Sequence, residues 1–224
     1  MKYLKTIMAA VAGLALSAAT GHCTIATAGG PAVIPGTDPL AGATFVADML
    51  NQSYSDGTGL VGTISSWVVS GDSLNPYAGG LTFIYQITET GADTVENFAA
   101  NGFGFPQVDF ETYATGAGGI LPSAANGTVN STSAYLTTGG TATFQLFVSG
   151  VGGGIQTGQT SYLLIVNTAA TTYSGSSGGV QDGGSAYAGI LAPVPEASTM
   201  IAGALLLLPF GASALRILRK TQMA

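Results

Sequence analysis

The chain has 224 residues, 46% of them hydrophobic and only 7% charged, with a formal net charge of −6. Its five cations stand at the two ends (Lys2, Lys5, Arg216, Arg219 and Lys220), while all 11 acidic residues lie between Asp38 and Glu196. A cation-free acidic body repels phosphate, which excludes nucleic acid as a partner, and it cannot build phosphate clamps from Lys or Arg.

In chain order, residues 1–28 have the three parts of a secretory signal peptide. Lys2 and Lys5 supply the positive start, and Ile7 to Leu16 is an apolar run too short to span a bilayer. Small residues offer cleavage after Ala19 or after Ala28; the extended Gly29-Gly30-Pro31 that follows favours Ala28. The Sec translocon and signal peptidase are the partners such a leader requires. Cys23 opens a lipoprotein alternative, but bulky His22 occupies the place where a lipobox wants a small residue. The expectation is that Cys23 leaves with the leader. A mature chain starting at Gly29 then has no cysteine and no histidine, so disulfides and thiol metal sites drop out.

Residues 29–192 read as one all-β ectodomain, a single β-sandwich or jelly-roll-like unit. Thr, Val, Tyr, Phe and Ile recur in short runs, and Gly-rich turns separate them. The clearest strand is Leu81–Thr88, with Leu81, Phe83, Tyr85 and Ile87 on one face and Thr82, Gln86 and Thr88 on the other. Thr141–Val148 alternates likewise, Ser161–Val166 is a continuous apolar run, and Leu60–Ser70 carries Trp67, read as a core residue. Weaker candidates are Thr44–Leu50, Thr94–Ala99, Gln107–Tyr113, Ser133–Thr137 and Ala186–Leu191. About 165 residues can bury roughly two-thirds of their unfolded surface without a disulfide.

Catalytic vocabulary is sparse in this body. Ser-His-Asp and Cys-His machinery and His-ligated zinc need residues it lacks. What survives is a carboxylate pair of the glycosidase kind: Asp109 and Glu111 are two apart on one strand and share a face, and Glu89, Asp93 and Glu96 cluster near a turn. The plainer reading of both groups is a solvated edge that keeps the domain soluble. Asp56-Gly57-Thr58-Gly59 and Asp182-Gly183-Gly184-Ser185 are oxygen-rich loops of a kind calcium accepts, but they lack the spacing of a known calcium loop and read as ordinary turns. No cofactor and no metal ligand is expected. Three Asn-x-Ser/Thr triplets begin at Asn51, Asn126 and Asn130 and carry no assignment.

Ala197 to Leu215 is uncharged and strongly apolar, long enough to span a membrane as one helix despite Pro209. Arg216, Arg219 and Lys220 follow at once, and the positive-inside rule keeps such a stub in the cytoplasm and the preceding domain outside. A buried core helix is the alternative. Before the helix stands Val194-Pro195-Glu196-Ala197-Ser198-Thr199. Box (194–199), helix (199–215) and basic stub (216–224), in that order at the C-terminus, resemble the PEP-CTERM sorting signal of Gram-negative bacteria. Val194, Pro195, Glu196, Ser198 and Thr199 fit the pattern, and Ala197 stands where a second proline is usual. The resemblance covers about 30 residues, 193–224. It implies processing near the box by an exosortase, a membrane-embedded peptidase, after transient residence in the inner membrane.

The expected function is that of an exported, non-enzymatic surface or extracellular-matrix protein, structural or adhesive in an exopolysaccharide setting. A carbohydrate-binding module is one alternative, with Tyr54, Tyr77, Tyr113 and Tyr135 as the candidate contact residues; a carboxylate-pair glycoside hydrolase is the other.

Overall fold

The structure, a computed structural model, describes residues 24–147 and 153–194. Those residues form twelve strands: β1 (Ile25–Thr27), β2 (Gly36–Thr37), β3 (Thr44–Ser55), β4 (Val61–Ser70), β5 (Thr82–Glu89), β6 (Asn97–Asn101), β7 (Gln107–Tyr113), β8 (Ser133–Leu136), β9 (Thr141–Gln145), β10 (Leu163–Asn167), β11 (Tyr173–Asp182) and β12 (Gly184–Pro193). The only helical piece among them is a 3-10 turn, Ala117–Gly119. No helix of the described residues is long and apolar enough to cross a membrane, and the apolar run from Ala197 to Leu215 lies outside them.

The strands make two facing sheets, a β-sandwich. The larger runs β1-β7-β10-β5-β4-β3, with β2 added in parallel to β7; every other pairing is antiparallel. The smaller runs β12-β11-β6-β9-β8. Period-2 alternation decides what each face buries. Val108 and Phe110 of β7, Leu164 and Val166 of β10, and Phe83, Tyr85 and Ile87 of β5 point at the smaller sheet, which answers with Phe98, Phe144, Val180 and Ile190. Two ring pairs tie the sheets: Tyr85 with Phe98 at 5.2 Å and Phe110 with Phe144 at 5.1 Å, the latter edge to face. Such pairs add about 0.5–1.5 kcal/mol each beyond area burial. The Tyr85 hydroxyl crosses the same space to donate to Leu191 O at 2.9 Å.

The outward face of the larger sheet is also buried. Trp67, Val69, Ile84, Leu163 and Ile165 form a second apolar cluster, covered by Leu40 and by Ala117 and Leu121 from the connection after β7. Trp67 is a core residue, as its strand position suggested, but it belongs to this outer cluster. Its Nε1–H donates to Pro122 O of the covering segment at 2.9 Å. The connections at residues 38–43 and 114–126 therefore act as a third layer, and what they cover at one end of the sheet is polar.

Three strands escaped the sequence reading. β1 lies within the expected leader, β2 is two residues long, and β11 is a Gly/Ser run whose ten residues pair in full register with β12. β3 continues five residues past its expected end at Leu50. It is the edge of its sheet, and two register shifts, between Phe45 and Ala47 and between Met49 and Gln52, break the edge up.

Candidate functional site

Asp109 and Glu111 do share a face of β7, but that face is not a solvated edge. Asp109 is 0% and Glu111 2% exposed, because the outer face of the sheet is roofed by connections rather than left to solvent. The ladder extends the niche sideways. Asn167 of β10 pairs with Asp109, and Thr82 of β5 pairs with Asn167. All three point outward in one row across three strands. Two further carboxylates arrive from the roof, Asp38 just after β2 and Asp72 just after β4, both buried.

The neutral groups knit the row together. Asn167 Nδ2 donates to Asp109 Oδ2 at 3.1 Å, and the Thr82 hydroxyl donates to Asn167 Oδ1 at 2.7 Å while lying 3.4 Å from Asp72 Oδ2. Asn75 Nδ2 reaches Thr82 Oγ1 at 3.2 Å. Backbone amides take one oxygen of each of three acids: Thr24 N donates to Asp109 Oδ1, Leu40 N to Asp38 Oδ1 at 2.7 Å, and Leu74 N to Asp72 Oδ1 at 3.1 Å. Two buried oxygens remain without a hydrogen-bond partner, Asp38 Oδ2 and Glu111 Oε2. The first lies beside the Asp72 carboxyl and Asn167 without meeting a donor in bonding geometry.

Electrostatics follows from that crowding. Burial above all, then the adjacent Asp72 carboxyl and its charge, pushes the Asp38 carboxyl up to about 7. Burial again, followed by the charges of Asp109, Asp38 and Asp72, pushes Glu111 up to about 8. The described residues contain no Lys, Arg or His, so no cation among them offsets these charges. Gly36, paired with Glu111, gives the carboxylate its room: a Cβ there would fall 2.1 Å from Glu111 Oε2.

The second acidic group resolves differently. Glu89 is 0% exposed and saturated, accepting from Tyr54 OH at 2.7 Å, Val61 N at 3.1 Å and Gly91 N at 2.6 Å. It stitches β3, β4 and the turn after β5. Asp93 and Glu96 are half-buried and do not join it in a cluster around one point. Here too the expectation of a solvated edge fails for Glu89, which sits at the end of the sheet where β4 begins and β5 finishes and is buried there.

The two oxygen-rich loops are turns, and they are neighbours. Asp56 Oδ1 accepts from Thr58 N, Gly59 N and Leu60 N at 2.8, 3.0 and 3.1 Å, and Oδ2 accepts from the Thr58 hydroxyl at 2.5 Å. Those bonds, the Thr58 hydroxyl first, hold its carboxyl well below the usual range. Asp182 Oδ2 takes Thr94 N at 3.2 Å, and a Cβ on Gly184 would stand 3.0 Å from Asp56 Oδ2. The acceptors are used up locally.

Of the tyrosines suggested as sugar contacts, Tyr54 is a core residue at 2% exposure, and Tyr77, Tyr113 and Tyr135 are half-buried. The exposed ones are Tyr187 and Tyr173, at 62% and 38%, both on the β11–β12 hairpin. Of the sorting box only Val194 is described; its N–H bonds Thr172 O at 3.1 Å, continuing β12 by one residue. Pro195, Glu196, Ser198, Thr199, Arg216, Arg219 and Lys220 lie outside the described residues.

Asp38, Asp72, Asn167 and Thr82 are the niche residues that sequence reasoning missed. One signal was present: eleven acids in a body without a base, some of which had to be buried in a domain this small. Which of them meet is a matter of strand order, since β7, β10, β5 and β4 lie side by side only after folding. Comparison with known proteins adds no relative: no family model, no curated protein and no solved structure matches the chain.

Proposed function

We propose that the chain is an exported, non-enzymatic surface or extracellular-matrix protein, delivered through the Sec route and sorted at its C-terminus by an exosortase. The observation that carries this reading is the partition of charge: five cations at the termini beside apolar runs, and none across the intervening acidic body. The box, apolar helix and basic stub add the sorting step. The all-β sandwich suits a scaffold or adhesive role, and its Gly/Ser-rich β11 paired with β12 gives it a long, flat hairpin.

Burial speaks against the glycosidase alternative. Asp109 and Glu111 are roofed over, and a carboxylate pair that hydrolyses a polymer must stand open to it. β1 supports the earlier of the two leader cuts. Cleavage after Ala28 would remove a strand whose Ala26 is buried and an amide, Thr24 N, that Asp109 holds; cleavage after Ala19 keeps both. Intact-mass analysis of the protein from envelope and medium tests the whole reading. The expected species begins at Thr20 and ends near the box. An uncut chain confined to the cytoplasm would overturn it.

One observation favours carbohydrate binding as a second reading: the exposure of Tyr187 on β12. Retention on exopolysaccharide that is lost in Tyr187→Ala, with unchanged thermal stability, would establish it.

A further inference from the structure

We infer that the niche on the outer face of the larger sheet is a binding site for one calcium ion, held by the Asp38 and Asp72 carboxylates with Asn167 Oδ1 and Thr82 Oγ1, and with Glu111 as a buried anionic neighbour. Asp38 and Asp72, both buried, lie side by side there next to Asn167 and Thr82, with Asp109 and Glu111 on the same sheet face, which alone would be only an acidic cluster. The second observation is the pair of stranded oxygens. Asp38 Oδ2 and Glu111 Oε2, on side chains 0% and 2% exposed, lack any hydrogen-bond partner; the first lies beside the Asp72 carboxyl and Asn167, the second against Gly36. A buried unpartnered carboxylate oxygen is costly and calls for a counter-charge. The described residues include no Lys, Arg or His, so none of them supplies the counter-charge, and a bound cation can.

The donor chemistry selects the ion. Carboxylate, amide and hydroxyl oxygens are hard ligands, and an irregular mixed set suits calcium, which takes six to eight oxygens at flexible angles, better than octahedral magnesium. No three acidic side chains among the described residues are gathered to hold an ion by themselves, which is why the set is mixed. The alternative neutraliser is the proton, and the two differ in what they predict. The site belongs to the folded domain and stands or fails independently of the export route.

The test uses the full-length chain purified in mild detergent and stripped with EGTA at pH 7.5. Calorimetric titration with calcium chloride should give one site per chain, with a dissociation constant on the order of 10⁻⁴ to 10⁻³ M. A hundredfold excess of calcium over that constant should raise Tm by about 5 °C or more, and magnesium or matched sodium chloride by much less. The double variant Asp38→Asn/Asp72→Asn should lose the calcium response and, freed of like-charge repulsion, melt no lower than the stripped wild type. Asp56→Asn should keep the response, locating the ion in the niche rather than in the exposed loops. Equal effects of calcium, magnesium and sodium would overturn the inference. So would a calcium response that survives the double variant, or stability that depends on pH but not on calcium.

Discussion

Glu89 and Glu111 are both buried glutamates on the larger sheet, and the described residues offer neither of them a cation. Around Glu89 the fold supplies a tyrosine hydroxyl and two backbone amides, so both carboxylate oxygens are bonded. Around Glu111 it supplies three more acids, and Oε2 is left alone. The first acid is a structural acceptor whose charge is stabilised by oriented N–H and O–H dipoles. The second is stabilised only by neutralisation, through a proton or a bound ion. A buried carboxylate with no cation among the described residues therefore has two fates, and the hydrogen-bond donors around it decide between them.

Breaking the Glu89 side of that contrast should have the largest effect. Glu89→Ala takes the acceptor from Val61 N, leaves Tyr54 OH with Thr88 O at 3.3 Å and Gly91 N with Val61 O at 2.9 Å, and opens a cavity where the buried side chain stood. One stranded donor, two weakened ones and a lost buried side chain should cost about 3 kcal/mol, read as a fall in Tm of roughly 10 °C for a domain of this size. The Tyr54 hydroxyl, whose ionisation is pushed above its ordinary range by burial and then by Glu89, should titrate closer to an ordinary tyrosine in the variant.

Glu111→Gln should move stability the other way. With divalent ions removed, the variant should be more stable than wild type by about 1–3 kcal/mol at pH 8.5 and nearly equal to it at pH 5. The sign follows from linkage. Asp38 and Glu111 hold their protons up to about 7 and about 8 in the folded chain, and ordinary carboxylates release theirs near 4. Between those limits the folded state binds more protons than the unfolded one, so wild-type stability falls as pH rises through the window. Denaturant melts in EGTA from pH 5 to 8.5 should show that fall, and Glu111→Gln should flatten it. A wild type whose stability rises with pH across the window would mean that the niche is not short of positive charge.

The two sides of the contrast differ in how far the sequence exposed them. Strand identity was legible wherever apolar residues alternate: β5, β7 and β4 fall within one residue of their expected bounds. Alternation also placed Asp109 and Glu111 on one face. It could not say that the face is covered, because the cover comes from residues 38–43 and 114–126, which have no period and lie far away in sequence. β11 was invisible for a related reason. Its Gly and Ser residues carry no strand preference, and the strand exists because β12 and β6 pair with it on either side. Gly178 suits the tight packing there, since a Cβ would sit 3.0 Å from side-chain atoms of Ile190 and Phe98. The niche itself was half legible, as two of four acids.

Asp109→Asn sits between the two cases and should show the smallest effect, within about 0.5 kcal/mol at pH 7. Unlike Glu111, Asp109 has both oxygens bonded, to Thr24 N and Asn167 Nδ2. An asparagine keeps one of those acceptors and loses the other, because its amide group meets a donor. Against that loss stands relief of repulsion, since the Asp109 charge is the foremost of the three that lift Glu111. The two terms oppose each other and nearly cancel in stability, but they do not cancel in titration. With Asp109 neutral, Glu111 should release its proton at a lower pH than the wild-type value of about 8, and the pH at which stability falls should move down with it. An unchanged midpoint would mean that burial alone raises Glu111 and that the four acids do not act as one niche.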